Sequence, residues 1–255
     1  MAVLTMQYGS FLMQKQCHVT MIVPNDTDIP EDHEYPTLYL LHGYSGDHTS
    51  WLQGSQIVRY ANQHKIVVIM PSVYNGWYTD TKTGDPYFTY ITEELPKICR
   101  SMFRHISTKR ETTFVAGLSM GGFGAMKVGL AFPERFAGIA AFSSAFDIVM
   151  RAGQSRERSP YFASIFGTAE EIPNSINDVF YLAKKVKESG NPLPKVYLWC
   201  GTEDSLLPET RQMKDCLEGL GYPLSYQEST GDHSWGYWDE QIALALPYLL
   251  KDLQK

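Results

Sequence analysis

Residues 116–122 read AGLSMGG: one serine among three glycines, directly after the apolar run TTFVAGL (112–118) and directly before GGFGAMKVGLAF (121–132). The first flank has the continuous apolar character of a buried strand and the second is compatible with a helix. Gly117, Ser119 and Gly121 form G-x-S-x-G. A chain of this length and average Gly and Ser usage holds that pattern by chance roughly one time in ten, so the pattern alone is weak. Its setting carries the argument. A serine on a sharp strand-to-helix turn is lifted above the sheet edge, and the residues two before and two after it come too close to carry a Cβ. The new helix N-terminus beneath it also favours negative charge that develops during acyl transfer.

Outward from that turn the chain alternates. Short apolar runs read as buried strands: TLYLLHG (37–43), KIVVIMPS (65–72), TTFVAGLS (112–119), FAGIAAFSS (136–144), KVYLWCG (195–201) and the weaker PLSYQEST (223–230). Leu4, Met6 and Tyr8, then Cys17, Val19, Met21 and Val23, repeat with period two and predict an antiparallel pair at the start of the sheet. Between the runs lie helical spacings: Ile57, Tyr60, Ala61, His64; Phe88, Ile91, Leu95, Ile98, Met102, with Pro96 expected to kink that helix; and Trp235, Trp238, Ile242, Leu246, Leu249. The pattern predicts an α/β fold with a mostly parallel central sheet and helices on both faces. The polar stretch 150–194 is expected to form an excursion over the carboxyl edge of the sheet, shaping a substrate pocket within a single domain spanning 1–255.

Composition narrows the classes of function. The chain has 255 residues, 44% apolar and 20% charged, with a formal charge of −6. Without a Lys/Arg-rich run, neither nucleic acid nor an anionic membrane is expected as partner. No stretch approaches the roughly 18 apolar residues of a membrane span, and MAVLTMQYGSFLMQKQ lacks the basic and apolar regions of a secretory signal. Cys17, Cys99, Cys200 and Cys216 are widely spaced without a C-x-x-C pair, which predicts reduced thiols in a cytoplasmic protein and no zinc or disulfide framework. A homo-oligomer is left open.

A serine hydroxyl becomes a useful nucleophile only when a base takes its proton and an acid orients that base. His233, in TGDHSWGYWD, is the one histidine after Ser119. Four acids compete for the third place. Asp204 follows the strand KVYLWC directly; Glu203 beside it would point elsewhere; Asp232 adjoins His233 too closely; Asp147 suits a helix cap. Asp204 is the expected acid. An oxyanion needs two N–H donors, one from Met120 and one from the loop after an earlier strand. LLHGYSGDHTSW (40–51) supplies such a loop, with Gly43 allowing close approach and Tyr44 offering its N–H, while His42 and His48 read as hydrogen-bonding loop residues. Trp77 and Tyr78, in NGWYTDTKTGDPYF, and Trp235 are candidates for pocket walls.

YLLHGYSGDHTSW, YNGWYTDTKTGDPYFTYITEELP, STKRETTFVAGLSMGGFGAMKVGL, GTEDSLL and GDHSWGYWD, in this order along nearly the whole chain, resemble the esterase D/tributyrin esterase branch of the α/β-hydrolases. The first two and AGLSMGG look especially like bacterial tributyrin esterases of the EstA type. The resemblance implies hydrolysis of esters of short acyl chains without a cofactor or metal. It also implies Ser119 as nucleophile, Asp204 as acid, His233 as base, and Tyr44 and Met120 at the oxyanion. Related S-formylglutathione hydrolases usually carry a cysteine in the loop after the oxyanion glycine; GYSGDHTSW has none. Feruloyl or acetyl-xylan esterases, acyltransferases and a non-catalytic binding protein of the same fold are the competing readings.

Overall fold

The computed structural model describes residues 1–154 and 159–253. Its centre is an eight-stranded sheet built from β1 (Ala2–Ser10), β2 (Lys15–Val23), β3 (Thr37–Leu41), β4 (Val67–Pro71), β5 (Thr113–Leu118), β6 (Gly138–Phe142), β7 (Lys195–Gly201) and β8 (Leu224–Ser229). The order across the sheet is β1-β2-β4-β3-β5-β6-β7-β8. β1 and β2 form the expected antiparallel pair, β2 runs antiparallel to β4, and every other pairing is parallel. β3 to β7 are buried throughout, which is why they lack alternation in sequence; β8, at an edge, is half-exposed and reads as weaker for that reason.

Among the described residues, ten α-helices lie between and after the strands: α1 (Ser50–Gly54), α2 (Ile57–His64), α3 (Tyr87–Thr89), α4 (Leu95–Met102), α5 (Met120–Ala131), α6 (Ile148–Gln154), α7 (Ser159–Phe166), α8 (Val179–Ser189), α9 (Leu207–Gly219) and α10 (Trp235–Leu250). Each sheet face has its own apolar core. Val115 on β5 belongs to one core together with Phe123 and Met126 of α5, Leu182 of α8 and Leu217 of α9. Its neighbours Phe114 and Ala116 face the other way, into Trp51 and Ile57 of α1–α2 and Ile242 and Leu246 of α10. This is the α/β-hydrolase fold.

Two expectations change. The Phe88–Met102 helix is continuous but not α-helical throughout: a wide π turn at Tyr90–Glu94 joins α3 to α4, and Pro96 sits in the first turn of α4. Pro96 has no N–H for the Thr92 carbonyl, and the Arg135 guanidinium takes that carbonyl at 2.6 Å. The stretch 150–194 is also only partly an excursion. α8 is the β6–β7 crossover helix, burying Val179, Leu182, Ala183 and Val186 against the main core; the earlier helices α6 and α7 bring Arg151, Tyr161 and Phe162 to a cavity beside Ser119.

From β3 the chain crosses outward to β4, and from β5 it crosses the opposite way to β6, although β3 and β5 are neighbours. Their carboxyl ends therefore open a crevice between diverging connections, where ligands bind in open α/β sheets.

Candidate active site

The parallel ladder aligns three strand ends at that crevice. Ser119 N–H continues β5 by donating to Phe142 O (2.8 Å), and Ser143 N–H continues β6 by donating to Trp199 O (2.9 Å). Ser119 has φ 53° and ψ −119°, a strained left-handed backbone for a non-glycine residue, and α5 begins at the next residue. A Cβ on Gly117 would lie 2.2 Å from Gly121 O, and one on Gly121 would lie 2.4 and 2.5 Å from Leu41 O and His42 O. Both glycines are therefore sterically required, as the turn predicted.

His233 lies in the loop between β8 and α10. Its Nε2 is 3.0 Å from Ser119 Oγ and its Nδ1 is 2.9 Å from Asp204 Oδ2. The structure brings together these three residues, separated by 85 and 29 positions in sequence. The ring stands edge-on against Trp238, with centroids 4.9 Å apart. Asp204 is buried, and its Oδ1 accepts Leu206 N–H at 2.9 Å. Burial alone would raise its carboxyl pKa; the hydrogen bonds from His233, Leu206 N–H and Ser143 outweigh that and hold it below the ordinary carboxylate range.

Two of the three rival acids have other partners. Glu203 Oε2 accepts Gly231 N–H at 2.6 Å while its own N–H donates to Gly231 O, so it braces the backbone of the histidine loop. Asp147 Oδ1 accepts Met150 N–H at 2.8 Å and caps α6. Neither loop histidine stands at the serine. His42 is buried; Val73 N–H donates to its Nε2 (3.1 Å), which leaves Nδ1–H to donate to Gly43 O (2.7 Å). Burial pushes its pKa down to about 4. His48 Nδ1 pairs with the Thr20 hydroxyl at 2.7 Å.

Tyr44, after β3, and Met120, at the start of α5, both border the space above Ser119. Among the described residues neither backbone N–H makes a hydrogen bond; Met120, as the first helical residue, has no intrahelical acceptor. Two spaces meet at Ser119. An open cleft of about 520 Å³ is lined by Gly43, Tyr44, His233, Trp235 and Trp238. A tighter cavity of about 180 Å³ is lined by Tyr44, Trp77, Met120, Arg151, Tyr161 and Leu206, among others. Trp77 and Trp235 thus reach the site, one in each space. Tyr78 does not: it is fully buried, its hydroxyl donates to His42 O at 2.8 Å, and its ring lies against Gly124 of α5.

Several site residues escape a sequence reading. Ser143, left-handed at φ 47° and fully buried, accepts Trp238 Nε1–H at 3.1 Å, which frees its hydroxyl proton for Asp204. Lys127 is buried in α5 and reaches Tyr78 O (3.1 Å), Thr79 Oγ1 (2.9 Å) and Asn177 Oδ1 (2.6 Å). It fastens a turn in which Trp77 and Tyr78 are both left-handed at φ 50°. Its signal was a lone lysine within an otherwise apolar and small-residue helix. Arg151 pairs with the buried Glu209, whose Oε2 accepts Asp147 N–H at 2.9 Å; no motif marks that pair. No group of three or more metal-ligating side chains occurs among the described residues, and no described helix is long and apolar enough to cross a membrane.

The chain is similar over 98% of its length, and over 99% of the relative's, to an acetyl esterase of Caldicellulosiruptor saccharolyticus, at 34% identity. Two solved structures from Staphylococcus aureus each cover 98% of both chains at 30% identity. They are the substrate-bound fluorophosphonate-binding serine hydrolase FphF (TM-score 0.89) and the S-formylglutathione hydrolase FrmB (TM-score 0.86). Residues 10–249 match the family model described as "Putative esterase". With seven of the eight strands and the crevice inside that match, the chain belongs to the esterase family of α/β-hydrolase-fold enzymes.

Proposed function

We propose that the protein is a serine carboxylesterase for short acyl chains, of the tributyrin-esterase kind, working in the cytoplasm through Ser119, His233 and Asp204. One observation carries this reading: the unbroken hydrogen-bond relay Asp204–His233–Ser119, at 2.9 and 3.0 Å, above a strained serine turn. Ser119 Oγ attacks the ester carbonyl while His233 Nε2 takes its proton. The carbonyl oxygen, gaining charge, rests between the N–H groups of Tyr44 and Met120, where such donors are each commonly worth about 3 kcal/mol. Asp204 holds Nδ1–H and stabilises the imidazolium. His233 then returns the proton to the departing alcohol, and water repeats the sequence to release the acid.

The proton's direction assigns the two spaces. His233 lines the open cleft and not the tight cavity, so the alcohol leaves by the cleft and the acyl chain occupies the cavity. At about 180 Å³ that cavity equals roughly six waters' share of liquid volume, which suits acetyl to butyryl groups. Similarity to the S. aureus S-formylglutathione hydrolase favours a second reading, a thioester of a very small acyl group.

The test is turnover of p-nitrophenyl acetate and labelling by a fluorophosphonate probe, the reagent class that the similar FphF binds. Ser119→Ala should abolish both while leaving the thermal unfolding transition in place. Near-normal turnover by that variant, or a probe adduct on another residue, would eliminate the scheme. A formyl thioester in the same rate panel separates the second reading.

A further inference from the structure

Among the described residues, two buried side-chain polar atoms lack a hydrogen-bond partner: Trp77 Nε1 and Arg151 Nε. Both residues line the same small cavity beside Ser119. They come from unrelated elements, the loop after β4 and helix α6, so no shared local geometry explains the coincidence. The Tyr161 hydroxyl stands near the indole without reaching hydrogen-bond geometry, and it donates instead to Asn75 O. Much of the remaining wall, including Ala145, Phe162 and Leu206, offers no side-chain acceptor.

Two buried N–H donors left without partners are costly, and a ligand oxygen that reaches either of them from the cavity removes part of that cost. We propose that this cavity selects acyl groups carrying a neutral oxygen acceptor, such as an ether, ketone or hydroxyl, beyond the ester carbonyl. The inference rests on the assignment of the cavity to the acyl chain. Neutrality follows from the arginine's other contacts. Arg151 Nη2 already pairs with Glu209, which is buried and also holds Asp147 N–H. The guanidinium charge is thus balanced, and a second carboxylate would meet Glu209. A purely hydrocarbon acyl chain fills the same space but leaves both donors unsatisfied, the situation in which a site discriminates most strongly between near-isosteres.

The experiment compares isosteric esters within one enzyme: p-nitrophenyl methoxyacetate against butyrate, and 4-oxopentanoate against 4-methylpentanoate. Each kcat/KM is divided by the alkaline hydrolysis rate of the same ester, which removes intrinsic reactivity. In the unmodified protein at least one oxygen-bearing ester should win by about tenfold, the factor that 1.4 kcal/mol supplies. Trp77→Phe and Arg151→Met should each draw that ratio towards one. Because the ratio is taken within each protein, a general loss of activity cancels. Ratios below about threefold for both pairs overturn the proposal, as do ratios that both variants leave unchanged. A hemisuccinate ester preferred over all four overturns the neutral acceptor. Failure of this kind is distinct from failure of the esterase reading: butyrate still hydrolysed through Ser119 leaves the latter standing, whereas no ester turned over by the unmodified protein removes both.

Discussion

Replacing Asp204 with asparagine keeps the shape of the relay and reverses its hydrogen-bond sense. Asp204 Oδ1 accepts Leu206 N–H and Oδ2 faces His233 Nδ1. Leu206 N–H is a fixed backbone donor, so the amide oxygen of an asparagine must turn to it. The opposite orientation would set two buried donors against each other at a cost of about 1–3 kcal/mol. The amide NH₂ then faces Nδ1 and forces the proton onto Nε2, the atom 3.0 Å from Ser119 Oγ. His233 can no longer accept the serine proton. The expected loss in kcat is about a thousandfold to ten-thousandfold, or about 4–5 kcal/mol of transition-state stabilisation. The assay is kcat for p-nitrophenyl acetate, with fluorophosphonate labelling rates measured in parallel and a thermal melt to show that the fold persists. A folded Asp204→Asn variant within about tenfold of the parent rate would refute the tautomer reasoning, because nothing else in the substitution changes volume or packing appreciably.

Two further outcomes follow from the same geometry. Gly121→Ala places a Cβ 2.4–2.5 Å from two carbonyl oxygens at the end of β3; backbone atoms cannot step aside as side chains do. A destabilisation of about 3 kcal/mol is expected, seen as a melting point lower by roughly 6–12 °C, and an unchanged melt would show that the turn has slack. His42 gives a pH dependence of stability. Burial lowers its folded pKa to about 4, so on acidification the unfolded chain takes up the proton first, near the ordinary imidazole value. Its contribution is complete above about pH 6.5 and lost as pH falls towards 4, on the order of 3 kcal/mol in all. Burial also lowers the His48 and His64 pKa values, so denaturant titrations across that range should show a drop in both proteins, larger in the parent than in His42→Gln by about that amount; equal slopes would contradict the neutral, buried ring.

Much of the architecture was legible because it is written in local patterns. Continuous apolar runs mark β3 to β7 because a parallel sheet covered on both faces leaves no strand residue facing water. The serine turn was legible because a close backbone approach admits only glycine at 117 and 121. Asp204 and His233 could be reached by chain order and by their places at loop ends. The π turn at Tyr90–Glu94 could not be read, since the apolar stripe Phe88–Met102 persists through it and its released carbonyl is satisfied by Arg135, 43 residues away in sequence.

The sequence by itself determined the alternation of strands and helices, the elbow at Ser119 and the order of its partners, because strand burial, glycine sterics and loop position act over a few neighbouring residues. Only the tertiary structure decided which tryptophans and tyrosines face the spaces at Ser119, that Tyr78 is sealed inside while Trp77 reaches the cavity, and that Ser143, Lys127, Arg151 and Glu209 lie around them. Those outcomes depend on contacts between segments tens of residues apart. Whether a polar group ends up paired, charged or unsatisfied is a property of everything that packs around it and of no stretch of chain alone.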